Sequence, residues 1–117
     1  MVGQDRPSPL AQMRRGAIEY CVLALVQDKE RYGFDLVHEL AAADGLVTSE
    51  GTIYPLVSRL RREGLVESVW RESNQGPPRR YYGITPEGRR ALEMFVSHWE
   101  RFRDSVDRLL ARGGSHE

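Results

Sequence analysis

Residues 49–62 run Ser-Glu-Gly-Thr-Ile-Tyr-Pro-Leu-Val-Ser-Arg-Leu-Arg-Arg. Turned at helical pitch, Ile53, Leu56, Val57 and Leu60 make one apolar stripe, and the opposite side carries Gly51, Pro55, Ser58, Arg59 and Arg62, flanked by Thr52 and Tyr54. Small, hydroxyl-bearing and guanidinium groups on one side suit the oxygens of a polyanion. Gly51 and Thr52 allow close approach of a phosphate to a helix N-terminus, and Tyr54 can offer its hydroxyl. Arg59 can reach a base edge or a phosphate, and Arg62, a turn on, a phosphate. Ser49 is the expected cap of this helix. A second basic group follows in Pro77-Pro78-Arg79-Arg80, a stiff arm whose guanidinium pair suits a minor groove or a phosphate backbone. Two plainer readings stand beside these: an amphipathic helix is polar outside in any case, and Arg79 and Arg80 can pair across strands with Glu67 or Glu72.

Other chemistries find little support. The three histidines (38, 98, 116) are scattered, and Cys21 is single and apolar-flanked, so no metal-ligand spacing appears. Gly76 has no helix after it, which excludes a phosphate-cradling loop, and no paired acid/base carboxylates can be argued. The chain reads as neither an enzyme nor a cofactor binder.

The elements that must position these groups follow from the periodicity. Residues 1–9 read as a loose tail. A first helix spans about Leu10 to Gln27, apolar nearly all round and therefore central. A polar link leads to a second helix from Tyr32 to Ala43. The third helix is the one described above, with Pro55 bending its start and Gly64 ending it. The period then drops to two: Leu65–Glu72 and Arg79–Thr85 form a hairpin around a six-residue tip, 73–78, with Trp70 in the hydrophobic base of the wing. Thr85-Pro86-Glu87 starts a last helix that reaches about Leu110, and 112–117 read as a second tail. This order describes a mainly α fold with a small β-hairpin: a winged helix-turn-helix domain over 10–85 and a long C-terminal dimerisation helix over 86–111.

On that last helix Leu92, Phe95, Trp99, Phe102, Val106 and Leu109 are spaced 3, 4, 3, 4, 3. One small domain cannot cover such a seam along a rod of roughly 37 Å, so a second copy is the expected partner, and a symmetric homodimer would match a two-fold symmetric operator on double-stranded DNA; the plainer reading is that Leu92 to Phe102 packs on the chain's own first helix and the rest frays. Trp99 and its mate could wall an apolar slot for a small, flat aromatic effector; plain interface packing accounts for the same residue.

Composition sets the bounds. In 117 residues, 17 basic and 17 acidic side chains cancel, and all basic ones but Lys29 are arginine. Residues 28–50 hold six acidic and two basic groups, whereas 59–80 hold six arginines and three glutamates, so a neutral total hides a basic middle. No apolar run approaches the roughly 20 residues of a membrane span, no leader pattern is seen, and one cysteine fits a cytoplasmic home.

Several segments resemble the PadR-like transcriptional regulators. Arg15-Gly16-Ala17-Ile18-Glu19-Tyr20 and Tyr32-Gly33-Phe34-Asp35-Leu36 look like the family's opening helices, and Ser49–Leu56 through Arg59-Leu60 and Glu63–Val66 like its recognition helix. Gly76–Tyr82 and Thr85–Gly88 look like its wing and the start of its last helix. Glu50 departs from the proline common there, and both suit a helix start. The resemblance, to the short subfamily with a single C-terminal helix, implies a dimeric, usually repressing transcription factor. It implies a dimer built by the first and last helices, which brings in Ile18 and Val22, and places Trp99 where multidrug-sensing members carry a tryptophan, with Phe95 beside it. The alternative is a winged-helix module that binds protein or small molecules and not DNA.

Overall fold

The computed structural model describes residues 8–43 and 50–114. Its elements are α1 (Pro9–Leu25), β1 (Arg31–Tyr32), α2 (Gly33–Ala42), α3 (Glu50–Arg62), β2 (Val66–Ser73), β3 (Gly76–Ile84) and α4 (Pro86–Gly114). The expected mainly α architecture with a β wing is what forms. One element is additional: β1 pairs antiparallel with β3 (Arg31 with Tyr82, Tyr32 with Tyr81), making a three-stranded sheet of order β1-β3-β2. Two residues are too few for a period-two pattern to be visible.

Helix ends follow local chemistry. Ser8 and Pro9, expected in the tail, begin α1: Ser8 Oγ accepts from the Ala11 amide at 3.1 Å, and Pro9 occupies the first turn, where its missing N–H is no loss. α3 closes in a Schellman motif at Gly64, φ +80°. Leu65 N–H donates to Leu60 C=O at 2.9 Å and Gly64 N–H to Arg61 C=O at 3.0 Å. Thr85 fastens three elements. Its Oγ1 accepts from the Gly88 amide at 3.0 Å, capping α4, and donates to Gly64 C=O at 2.6 Å, while its own amide donates to Leu65 C=O at 3.2 Å. α4 passes the expected end and runs through Gly113 to Gly114.

The core gathers one stripe from each helix: Ile18, Val22, Leu23 and Val26 of α1, Leu36, Val37 and Leu40 of α2, Ile53, Val57 and Leu60 of α3, and Leu92 of α4, closed by Val66 and Tyr82 of the sheet. Burying a Leu, Ile or Val side chain contributes about 1.5–3 kcal/mol each, so these stripes dominate the stability of the domain. The hairpin turn is tighter than expected. Only Asn74 and Gln75 lie between the strands, and Ser73 pairs with Gly76 across an irregularity between Arg71 and Ser73. Pro77 and Pro78 are the two β3 residues that oppose the single Glu72 at this irregularity, and a bulge tolerates residues without an N–H.

α4 gives the molecule its shape. The principal extents are 61 × 35 × 23 Å and the radius of gyration is 17.3 Å, against about 13 Å for a compact domain of this length. Leu92 is buried and Phe95 half-buried; from Trp99 onward the apolar side chains of α4 are open, with Phe102 and Leu109 each 64% exposed.

Candidate nucleic-acid interface and the adjoining apolar cleft

α3 is two-sided, as its sequence requires. Ile53, Val57 and Leu60 are at most 1% exposed, and Leu56 is half-buried beside them. Gly51, Thr52, Tyr54, Pro55 and Arg62 are exposed and Ser58 is half-buried, so the small, hydroxyl and basic groups do share the outer side. Pro55 lies within α3 and has no N–H to donate to the carbonyl of Gly51. Ser49 lies outside the described residues. Arg61, also exposed, adds a charge at the C-terminal end of α3.

Arg59 is placed differently. Its guanidinium donates to Glu19 of α1 at 3.0 Å and to both carboxylate oxygens of Glu63 at 3.0 and 3.2 Å. The Glu19 hydrogen bond and then the Glu63 one hold its pKa above the ordinary arginine value.

The wing arginines separate. Arg71 pairs across the strands with Arg79, and Trp70 with Arg80, so Arg79 and Arg80 lie on opposite faces of the sheet and form no parallel fork. Arg79 lies over the Tyr32 ring with its Cζ 4.8 Å from the centroid, and Arg80 over the Trp70 ring at 4.7 Å. Trp70 is 60% exposed and is not part of the wing's base; Tyr82 and Val66 fill that place. Arg71 is the neutralised one, donating through Nε to Glu30 at 2.8 Å. Among the described residues Arg61, Arg62, Arg79 and Arg80 have no carboxylate partner; the cross-strand pairs with Glu67 or Glu72 do not form. The junction before α2 joins wing to helix: Arg79 covers Tyr32, and at Gly33 a Cβ would stand 3.0 Å from the Tyr54 ring.

The aromatic seam opens beside α1. Tyr20 stacks on Phe95 (4.2 Å between centroids, 9° between planes), Phe95 on Trp99 (5.7 Å), and Trp99 meets Phe102 at 6.3 Å. Between the N-terminal half of α1 and the outer half of α4 lies an open cleft of about 820 Å³, with Leu10, Met13, Ala17, Phe95, Trp99 and Phe102 among its walls. Leu10, Met13 and Ala17 recur at helical spacing, a stripe on α1 that the sequence displays and that pairs naturally with the seam on α4. The interior claims Ile18 and Leu92, each 8% exposed, and Val22, at 0%, so these three have little or no surface to offer a second copy. Phe95 is half-buried, whereas Trp99, Phe102, Val106 and Leu109 remain open. Among the described residues no helix is long and apolar enough to cross a membrane.

This two-sided α3, the β wing and the projecting final helix define a winged helix-turn-helix of the regulatory class. The model of the transcriptional regulator PadR-like family matches residues 22–94. The chain is 37% identical over 107 residues to the transcriptional regulator Rv3488 of Mycobacterium tuberculosis, covering 92% of this chain and 94% of that protein. Among solved structures it is similar to a PadR-like transcriptional regulator from Bacillus cereus, at 38% identity and a TM-score of 0.77 over 85% of this chain and 96% of that one. A PadR family regulator from Eggerthella lenta is 36% identical, with a TM-score of 0.76 over 86% and 88% of the two chains. The chain belongs to the PadR-like family of transcriptional regulators.

Proposed function

We propose that this regulator is a cytoplasmic, sequence-specific repressor that binds a two-fold symmetric operator as a homodimer and leaves it when a small, flat aromatic compound enters the α1/α4 cleft. The carrying observation is the division of α3. One side is locked into the core through Ile53, Val57 and Leu60, and the other presents Gly51, Thr52, Tyr54, Pro55 and Arg62 to solvent, with Ser58 half-buried among them. A helix anchored in this way can enter a major groove of roughly 12 Å, with its first turn toward a phosphate. Pro78, Arg79 and Arg80 extend the contact to the backbone or the minor groove, each arginine carried on a ring and without a carboxylate to neutralise it. Domain roles follow the same division, with residues 10–85 for DNA and 86–111 for dimerisation. The second copy covers Trp99, Phe102, Val106 and Leu109, and Trp99 with Phe95 forms the aromatic wall of the effector slot.

The test is a gel-shift titration at fixed salt with the DNA upstream of the chain's own gene. Changing Arg79 and Arg80 together to alanine is expected to weaken binding by at least about 1 kcal/mol, roughly fivefold. Binding unchanged by that double substitution removes the wing from the interface. Wild-type affinity that does not fall as salt rises removes DNA altogether and favours a protein- or small-molecule-binding winged helix.

A further inference from the structure

Arg59 points outward on α3 in sequence but is held from two sides in space. Its Nη2 donates to Glu19 Oε1 at 3.0 Å across 40 residues of sequence, and its Nη1 donates to Glu63 Oε2 and Oε1 at 3.0 and 3.2 Å. Two carboxylates therefore face one guanidinium and offset its charge, which weakens its attraction for a phosphate. Glu63 is on the next turn from Arg59 and adds no tertiary constraint; Glu19 does. It belongs to α1, and the following residue, Tyr20, is the one stacked on Phe95 of α4. The apolar contacts between α1 and α3 are non-directional, so they fix spacing better than rotation. A charge-assisted hydrogen bond fixes direction as well.

We propose that Arg59 is a positioning residue and not a DNA ligand: with Glu19 it sets how α3 is carried on α1, so that the orientation of the DNA-facing helix follows the seating of Tyr20 on Phe95, which itself stacks on Trp99. This rests on the DNA-binding reading of α3 above. It also supplies that reading with a physical link, since a compound that shifts the aromatic stack moves α1, and α1 is tied to α3 by this pair.

The experiment measures affinity for a labelled duplex from upstream of the chain's own gene over a series of salt concentrations, for wild type, Glu19→Gln, Arg59→Gln, the double variant and Arg62→Gln. Circular dichroism checks that each is folded at the working temperature. Each of the first two single variants is expected to bind roughly tenfold more weakly. The double variant is expected to be no weaker than either, because one interaction has been removed in all three. These three keep the wild-type slope of log affinity against log salt, while Arg62→Gln flattens it by about one unit. Tighter binding by Glu19→Gln overturns the proposal, since a freed Arg59 would then be a ligand; so does a salt slope flattened by Arg59→Gln, or wild-type affinity in both single variants. If Arg59→Gln does not fold, the sign of the Glu19→Gln effect still decides. Absence of salt-dependent binding by the wild-type protein sinks the DNA reading, and this one with it; normal wild-type and Arg62→Gln behaviour beside a tighter Glu19→Gln sinks this one alone.

Discussion

At Gly88 and Gly64 one added methyl group works against the fold, by crowding at the first and by backbone conformation at the second. A Cβ on Gly88 would stand 2.1 Å from the carbonyl oxygen of Leu65 and 2.8 Å from the Ile84 side chain, in the turn where α4 leaves the sheet. The nearest obstacle is backbone, so the helix itself must move. Gly88→Ala is expected to destabilise the fold by about 2–3 kcal/mol, read as a lower urea midpoint at unchanged slope. Gly64 has open space around it but a φ of +80°. Alanine there is expected to cost about 1 kcal/mol, with asparagine milder because its side chain tolerates the left-handed region. Cys21 makes a third case. Partial burial raises its pKa, so less thiolate is present at pH 8 than in an exposed cysteine. Alkylation by iodoacetamide in the native state should be slower than in the urea-unfolded chain, and equal rates would contradict the burial.

At the scale of elements, the wing differs most from its sequence pattern. Strand alternation sends Arg79 and Arg80 to opposite faces, and each finds a ring to lie on. Trp70→Ala removes the platform under Arg80 and is expected to weaken DNA binding by about 0.5–1 kcal/mol, with Trp70→Phe between the two, measured by anisotropy at low salt. An unchanged affinity would mean that Arg80 needs no support. α3 shows the opposite balance: its stripe periodicity named the buried residues correctly, because a helix in contact on one side buries what the 3.6 period places there.

For the whole molecule the governing fact is a helix of 29 residues attached to a core that covers only its first part. In sedimentation equilibrium the proposed dimer should appear at twice the chain mass, and Phe102→Asp with Leu109→Asp should shift it to one chain mass by placing charges in the seam. Loss of the dimer should weaken operator binding much more than either wing substitution, since both recognition helices no longer act together. In a Trp70→Phe background, Trp99 becomes the single tryptophan. Its fluorescence should change on titration with flat cationic aromatic compounds, and a signal that ignores them up to their solubility removes the effector slot.

Much of this was legible in the linear chain. The stripe at 53, 56, 57 and 60, of which Leu56 is only half-buried, the turn formers near 74, the Thr85-Pro86 start and the 3-4 spacing from Leu92 to Leu109 each report a local period or a cap, and local rules act within a turn or two of the backbone. The sequence by itself thus determined the four helices and the hairpin in their order, which side of α3 meets the core, and that α4 carries more apolar surface than its own domain uses. Tertiary structure alone decided the rest: that Arg59 meets Glu19, that Tyr20 stacks on Phe95, that β1 adds a third strand, that Trp70 lies outside and Val22 inside. The reason is distance along the chain. These contacts join residues tens of positions apart, and no periodicity encodes which of several arginines, rings or valines the packed helices will bring together.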